Sequence, residues 1–519
     1  MSVHQKDFPF LCLSQIFSEL SESSSDLYSC LRVNRMWYNC AAEYLWATPF
    51  YWHGTKAGRM LGIFLPLLSK EHFDCLEFDI PTTQPTINYL QLVKTLSMPC
   101  CMSAIERYVY MINSPDFPDM ITDGRIDAEL LNDTEKCTNL LLLRLCRGMI
   151  IACPSLTEID MIVYSKSSYQ WNASDWNLFN IETNLNHVRQ IRLSQGLHPN
   201  ILRSAAENLR DIELLDWSES GVYIKDIYYY YSNISKLISN QKGLKKAFFL
   251  AHNPSELSLQ LIWEALCTQA RTLRRIEIYT DANIWTIFNT FGQCINLSHI
   301  KLANCILCPH DWLELPSDIF ANLNILELES VEFNYYGICA LLGNVKENLK
   351  TISVKDIKYD TDLWRTCAVN TPNLTKLEVR IELKSYIPLI QNGLSLWQNL
   401  ESLSIVICGT QFGKENNGLL SRVLLSLGEN LPKTVKVFEL IIFHQLPSET
   451  FTSFLSVCSA RIESFFLRIN GINDEHINTL LKYMGCSLKS IRLFGDGYVS
   501  PDTRSKLINQ VPYVSFTMW

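Results

Sequence analysis

The sequence predicts an α/β fold in which short strands and helices alternate along most of the chain, behind a small all-α module. Three observations predict it. An apolar pattern recurs at nearly constant spacing between residues 140 and 519, helical patterns precede several copies of it, and residues 8–46 follow a purely helical pattern. A spacing of about 20–50 residues is the signature of a repeat architecture. With 519 residues, the chain also exceeds the size at which a single hydrophobic core stops growing, which favours a stacked array.

The amino-terminal module is predicted to contain three short helices. In the first, apolar residues recur at helical spacing at Leu13, Ile16, Phe17 and Leu20. The polar segment Ser21–Asp26 ends that helix and can cap the next one. The second predicted helix carries Leu27, Cys30, Leu31, Asn34 and Trp37, and the third carries Ala41, Ala42, Leu45 and Trp46. So small a module has more apolar surface than it can bury by itself, and such a surface usually contacts a partner.

This module, residues 1–50, resembles an F-box. Phe8-Pro9 matches the opening Leu-Pro of that family, Val33 to Trp37 matches its Val-x-x-x-Trp signature, and Leu45-Trp46 matches its terminal Leu-Trp. Leu11 stands where the family has an acid, and Phe8 replaces the first leucine. The resemblance implies docking to the Skp-family adaptor of a cullin-RING ubiquitin ligase through Phe8, Pro9, Leu13, Ile16, Phe17, Leu20, Leu31, Val33 and Trp37. The alternative is a helical cap, which repeat arrays need at their ends.

The repeating pattern places apolar residues at i, i+3 and i+5. Its clearest copies begin at Leu273, Leu297, Leu323, Leu349, Leu374, Leu400, Val435, Ile462 and Leu488, and weaker ones are Leu156/Ile159/Met161, Val188/Ile191/Leu193, Leu209/Ile212/Leu214 and Leu244/Ala247/Phe249. In a chain that is 47% hydrophobic, three fixed positions agree by chance about one time in ten, so the spacing is the stronger signal. Eight of the twelve intervals between successive copies lie between 24 and 29 residues.

Each repeat is predicted to be a strand with a helix ahead of it. Positions i+3 and i+5 lie on one face of a strand, and helical spacing precedes them, for example over Ser448–Ala460 and Asp474–Gly485. Neither element can bury its apolar face alone, so the units must stack. Residues 140–519 resemble leucine-rich repeats of the longer, helix-containing kind, which implies a solenoid with parallel strands on the concave face and helices on the convex face. Residues 51–139 are interpreted as a linker with a degenerate first repeat at Phe73/Leu76/Phe78.

Composition excludes several classes of protein. A net charge of -8 disfavours a sequence-independent nucleic-acid binder. The apolar run Leu140–Cys153 is broken by Arg144 and Arg147 and falls short of a membrane-spanning helix. The amino terminus has no secretory signal pattern, so the 18 scattered cysteines are expected to be reduced thiols of a cytoplasmic or nuclear protein.

The sequence shows no motif for catalysis, a cofactor or a metal ion. Cys305 and Cys308 form a Cys-x-x-Cys pair without a second pair to complete a zinc site. The resemblance to leucine-rich repeats implies that Cys305 stands at the turn position of its repeat. Phosphate-binding loops and His-Glu-x-x-His are missing. We therefore expect a protein that is not an enzyme and has no cofactor. The alternative is an enzyme whose active site is assembled from several repeats, which would require titratable groups that converge in a pocket.

Strand positions i+4 and i+6 are expected to line the face that meets a target protein. They are mixed to acidic in the centre of the array and basic and aromatic towards its carboxyl end; the candidate target-binding residues are Glu277, Tyr279, Glu327, Glu329, Glu378, Arg380, Phe466, Arg468, Arg492 and Phe494. Together with the F-box resemblance, this indicates the substrate receptor of an SCF-type ubiquitin ligase. The alternative is a leucine-rich-repeat scaffold or inhibitor unconnected to ubiquitin.

Overall fold

The chain forms two compact units. The first comprises Met1–Phe248 and Leu257–Gln269, and the second Phe249–Glu256 and Ala270–Trp519. A computed structural model describes residues 4–21, 23–51, 55–68, 87–113, 134–162, 178–179, 185–194, 197, 199–219, 227–252, 254–285, 291, 293–307, 320–333, 341–345, 347–356, 363–383, 386–408 and 414–518.

The first unit opens with the three predicted helices, α1 (His4–Glu19), α2 (Ser24–Cys30) and α3 (Arg35–Leu45). The boundary between the second and third differs from the prediction, which placed Asn34 and Trp37 in the second helix. Asn34 has an extended backbone with φ -165°, and its Oδ1 accepts a hydrogen bond of 2.9 Å from the Trp37 N–H. That interpretation was wrong because a short amide side chain satisfies a free N–H at a helix start, so Asn34 caps α3 and Trp37 belongs to it.

Helices and parallel strands then follow. The elements are α4 (Thr55–Phe64), β1 (Thr95–Ser97), α5 (Met98–Asn113), α6 (Thr134–Ala152), β2 (Glu158–Met161), β3 (Gln190–Ser194), α7 (Pro199–Asn208), β4 (Leu214–Ser218), α8 (Ile227–Ser239), β5 (Lys246–Ala251) and α9 (Glu256–Cys267). Strands β1 to β4 pair in chain order, all parallel. The expected triplet Phe73/Leu76/Phe78 lies outside the described residues. Strand β1 contains Leu96 and lies between Val93 and Met98. These three residues form a buried i, i+3, i+5 set, so this segment contains a repeat strand that sequence reasoning missed.

Among its described residues, the second unit begins with six strands and alternates helices with strands from β11 onwards. Its elements are β6 (Arg275–Thr280), β7 (His299–Ala303), β8 (Ile306–Leu307), β9 (Ile325–Glu329), β10 (Glu332–Phe333), β11 (Thr351–Lys355), α10 (Leu363–Asn370), β12 (Lys376–Glu382), α11 (Tyr386–Asn392), β13 (Ser402–Cys408), α12 (Lys414–Asn430), β14 (Val437–Gln445), α13 (Ser448–Val457), β15 (Ser464–Asn470), α14 (Asp474–Met484), β16 (Ser490–Gly495), α15 (Pro501–Gln510) and β17 (Tyr513–Met518). Each repeat strand pairs with the next in parallel register, and the short β8 and β10 pair beside them.

The predicted triplets form the core of the second unit. All their residues, from Leu273/Ile276/Ile278 to Leu488/Ile491/Leu493, are buried. Helices pack on this side of the strands. The Phe438 ring centroid lies 5.8 Å from that of Phe454 on α13 and 5.5 Å from that of Phe465 on the next strand. Full burial of one such side chain contributes about 1.5–3 kcal/mol to stability, so each repeat that stacks on the array increases the free energy of unfolding.

One triplet of the first unit has a different frame from the one predicted. Leu214 is only half-buried, whereas Leu215 and Trp217 are both 1% exposed. The parallel ladder places Leu215 opposite Ile191 and Trp217 opposite Leu193. The triplet Leu209/Ile212/Leu214 is therefore wrong, and Ile212/Leu215/Trp217 occupies the core. Two adjacent leucines made either frame possible from sequence, and the neighbouring strand selects one of them.

A row of asparagines links consecutive repeats in the second unit. Each stands immediately before the first leucine of a triplet and donates its side-chain amide to a backbone carbonyl one repeat earlier. The donor to acceptor distances are 2.6 Å from Asn296 to Arg271, 2.6 Å from Asn322 to Ile295, 2.6 Å from Asn348 to Ala321, 3.3 Å from Asn373 to Glu347 and 3.3 Å from Asn399 to Pro372. The recurring Asn-Leu dipeptide is the sequence signal for this row.

Candidate functional site

The amino-terminal module is held together by a small apolar core. Phe17 and Leu27 are fully buried, and Leu13 is 8% exposed. The half-buried Trp37 ring meets Phe17 edge-on, with 5.4 Å between centroids and 75° between planes. Three of the predicted adaptor-binding residues, Leu13, Phe17 and Trp37, thus pack the helices against one another.

Other apolar side chains of the module face solvent. Among the predicted set, Ile16 is 49% and Val33 55% exposed, and Leu20 and Leu31 are half-buried. Phe8 and Pro9 lie in the backbone of α1, and their side chains are outside the described residues. Tyr28 and Met36, which sequence reasoning missed, are 61% and 42% exposed. Each of the three helices therefore presents an apolar side chain to solvent, and adaptor contact by these residues stays a prediction.

The second unit aligns the ten candidate target-binding residues in two adjacent rows. We call the side of its strands opposite the buried triplets the open face. The first row consists of the in-register residues Glu277, Lys301, Glu327, Ser353, Glu378, Ser404, Glu439, Phe466, Arg492 and Ser515, and the second of Tyr279, Ala303, Glu329, Lys355, Arg380, Val406, Ile441, Arg468, Phe494 and Thr517. Parallel strands in constant register bring together residues about 25 positions apart in sequence. Target binding by them stays a prediction.

Charges in the central part of the open face are paired within the protein. The Arg275 guanidinium contacts the Glu277 carboxylate. Lys301 Nζ lies 3.5 Å from Glu329 Oε2. His299 Nε2 lies 2.9 Å from Glu327 Oε1. The neighbouring imidazole lowers the pKa of Glu327 more than burial raises it. Glu277 and Glu329 already have cationic partners, and Glu327 contacts an imidazole, so this part of the surface has little charge left over for a ligand.

The carboxyl end of the open face is aromatic and basic, as expected. The Arg468 guanidinium carbon lies 4.5 Å from the Phe494 ring centroid and 5.1 Å from that of Phe443. Phe443 is 41% exposed, and Arg492 on the next strand is exposed. Arginine over an aromatic face is a recognised stabilising contact, and here it fixes a cation at the surface.

The strand arrangement also decides the fold. In the second unit, successive repeat strands are parallel and their apolar triplets are buried. The fold is that of a leucine-rich-repeat protein. No protein-family model and no curated protein matches the sequence. Among solved structures, an internalin from Listeria monocytogenes is similar with a TM-score of 0.33 and 12% identity, covering 64% of this chain and 82% of that one.

The described leucine-rich repeats contain His, Cys, Asp and Glu side chains, but they do not bring these residues together as a metal site would require. Within the described ranges, no three His, Cys, Asp or Glu residues converge in a way that could hold a metal ion. Cys305 is buried at its repeat turn, and burial raises the pKa of its thiol to about 12; Cys308 lies outside the described residues. A thiol that stays protonated is a poor nucleophile, so Cys305 has a packing role.

His476 is the buried histidine at the start of α14. Its Nδ1 lies 2.6 Å from Asn473 Oδ1, and its Nε2 lies 2.8 Å from the Leu446 carbonyl oxygen. Burial lowers the pKa of His476, against the opposing effects of the Leu446 carbonyl and the Glu475 charge. The imidazole lies between Asn473 and the Leu446 carbonyl, so it ties α14 to the end of β14.

The described part of the chain contains no helix long and apolar enough to cross a membrane.

Proposed function

We propose that this chain is a non-catalytic substrate receptor of an SCF-type ubiquitin ligase in the cytoplasm or nucleus. Its leucine-rich repeats would bind a target protein, and its amino-terminal helices would dock to the Skp-family adaptor of a cullin-RING ligase. The observation that carries the proposal is a three-helix module, similar in pattern to an F-box, that leaves Ile16, Val33 and Met36 exposed while burying Phe17.

The exposed apolar residues support docking of the module to a protein. A helical module that served only as a cap would direct its apolar side chains towards the repeats. Ile16 on α1 and Met36 on α3 instead remain accessible, as does Val33 ahead of α3. Removing an aliphatic side chain of this size from water contributes up to about 1.5–3 kcal/mol, so a few such contacts suffice for a stable interface.

The open face supports target binding by the repeats. It carries two long rows of unlike side chains on a regular support. Glu277, Ala303, Ser353 and Ser404 are buried in these rows, whereas Arg380 and Arg492 are exposed. Repeat proteins commonly bind partners through such a surface. The role requires no reactive side chain. Holding a target close to a ubiquitin-conjugating enzyme raises the effective concentration of its lysines, to about millimolar for a short flexible link.

The adaptor interaction is tested with a double variant, Ile16→Asp with Val33→Asp. Both side chains are about half exposed, so the module should still fold, but the adaptor interface would have to bury two unpaired carboxylates. The control is Ile508→Asp, which makes the same kind of substitution, with one added charge, at a 59% exposed position on α15. We expect the adaptor to co-purify with the wild-type chain and the control and to be lost from the double variant.

Two outcomes contradict the proposal. One is undiminished adaptor co-purification with the double variant. The other is that the wild-type chain binds no Skp-family adaptor, which would leave a leucine-rich-repeat interaction scaffold unconnected to ubiquitin.

A further inference from the structure

Arg468 is held in place on the open face by aromatic rings on both sides. Phe443 is on β14, Arg468 on β15 and Phe494 on β16, so the two rings flank the guanidinium from adjacent strands. A guanidinium fixed in this way loses less conformational entropy when it forms hydrogen bonds. Contact with the rings does not use the N–H donors of the guanidinium, so these donors can bind a ligand.

Neither Arg468 nor Arg492 has an anionic partner among the described residues. The basic side chains in the middle of the open face differ, because Arg275 contacts Glu277 and Arg380 Nε lies 3.5 Å from Asp356 Oδ2. The array thus neutralises its central arginines but leaves two guanidinium groups uncompensated at its carboxyl end. This occurs in a chain whose net charge is -8, so it is a local property of the surface.

The two arginines are diagonal neighbours. Arg468 pairs with Phe494 and Arg492 with Phe466 in the ladder between β15 and β16. From the strand spacing of about 4.8 Å and the rise of about 3.3 Å per residue, their Cα atoms lie about 8 Å apart. Alternate residues of an extended peptide project on one side about 7 Å apart, which matches this separation.

We propose that the carboxyl end of the open face binds an extended acidic peptide segment that carries carboxylates at alternate residues. One carboxylate binds Arg468 and the next binds Arg492, and Phe466 and Phe494 contact the stems of the acidic side chains. Charge-assisted Arg–carboxylate hydrogen bonds are the strong class of such contacts, and two of them define both charge and spacing. This inference rests on the proposed role of the repeats in target binding, but not on the adaptor.

The test uses the full chain and a fluorescein-labelled peptide of alternating glutamate and serine, with fluorescence anisotropy as the readout. The peptide of alternating glutamine and serine serves as the uncharged probe. We expect the glutamate peptide to bind and the glutamine peptide not to bind. Arg468→Gln and Arg492→Gln should each weaken binding by about tenfold or more, and Arg468→Lys should also weaken it because lysine lacks the planar fork.

The matched control is Arg422→Gln, an exposed arginine on α12. It changes net charge by the same amount, so it separates a local contact from the long-range field of the protein. Its peptide affinity should equal that of the wild-type chain. Arg492 is itself exposed on its strand, so its replacement leaves the core intact and keeps the test valid if the Arg468 variants fold poorly.

Three results would overturn the inference. The wild-type chain could fail to bind the glutamate peptide, or Arg422→Gln could weaken binding as much as Arg492→Gln does. Carboxylates would also be excluded as the ligand if the chain bound a phosphoserine peptide but did not bind the glutamate peptide. Adaptor co-purification should be unchanged in the arginine variants, so failure here is distinguishable from failure of the ligase proposal.

Discussion

Gly428 lies at the closest approach between two neighbouring helices, and replacing it with alanine should destabilise the second unit. It is buried near the end of α12, and a Cβ atom there would lie 2.6 Å from the Phe454 carbonyl oxygen and 2.7 Å from Val457 Cγ2 on α13. Both distances are shorter than a carbon atom tolerates, and a backbone carbonyl cannot rotate away as a side chain end can. The helices of these two repeats must therefore separate.

Two opposing effects set the magnitude. Alanine is preferred over glycine inside a helix by about 1 kcal/mol. Overpacking of a close-packed interior costs about 1–3 kcal/mol, and the backbone contact places this site at the upper end. We expect a net loss of about 2 kcal/mol in the free energy of unfolding.

Gly418 in the same helix provides the control. It is exposed, and a Cβ atom there would meet no atom of the described residues within 4 Å apart from the adjoining backbone of its own helix. Gly418→Ala should therefore raise stability by up to about 1 kcal/mol through helix propensity alone. The measurement is the urea midpoint of each variant, followed by circular dichroism. If Gly428→Ala is as stable as Gly418→Ala, the close approach of α12 and α13 is not as described.

Two further predictions concern stability. Asn322→Ala removes the 2.6 Å hydrogen bond to the Ile295 carbonyl and should lower the free energy of unfolding by about 1 kcal/mol. Asn399→Ala removes a longer hydrogen bond of 3.3 Å and should lower it by less. Equal losses of the two variants in urea titrations would contradict this ranking. His476 has a lowered pKa in the folded chain, so the unfolded chain binds more protons as pH falls below its ordinary value of about 6.5, and stability should fall from there downwards. His476→Gln should flatten this dependence of the melting midpoint between about pH 7 and 5, and an unchanged slope would show that other groups cause it.

Part of the candidate site could be predicted from sequence. The alternation of strand side chains placed Glu277, Arg468 and Arg492 on the face opposite the triplets, and the ladders confirm this placement. In the amino-terminal module, pattern alone treated Ile16 and Phe17 alike, although one is 49% exposed and the other fully buried. Adjacent positions on a helix differ in direction by about 100°, so the packing partner, here Trp37, decides which one is covered.

The sequence by itself determined the fold class, because the period of the repeat and the alternation of side chains within a strand are local properties that recur in every copy. Only the tertiary structure decided what depends on register between repeats. It selected Leu215 over Leu214 as a core residue, paired Arg380 with Asp356, and placed Arg468 between two rings with no carboxylate partner among the residues that the structure describes. These contacts join residues about one repeat apart, and their geometry follows from how neighbouring units align, which no single repeat encodes.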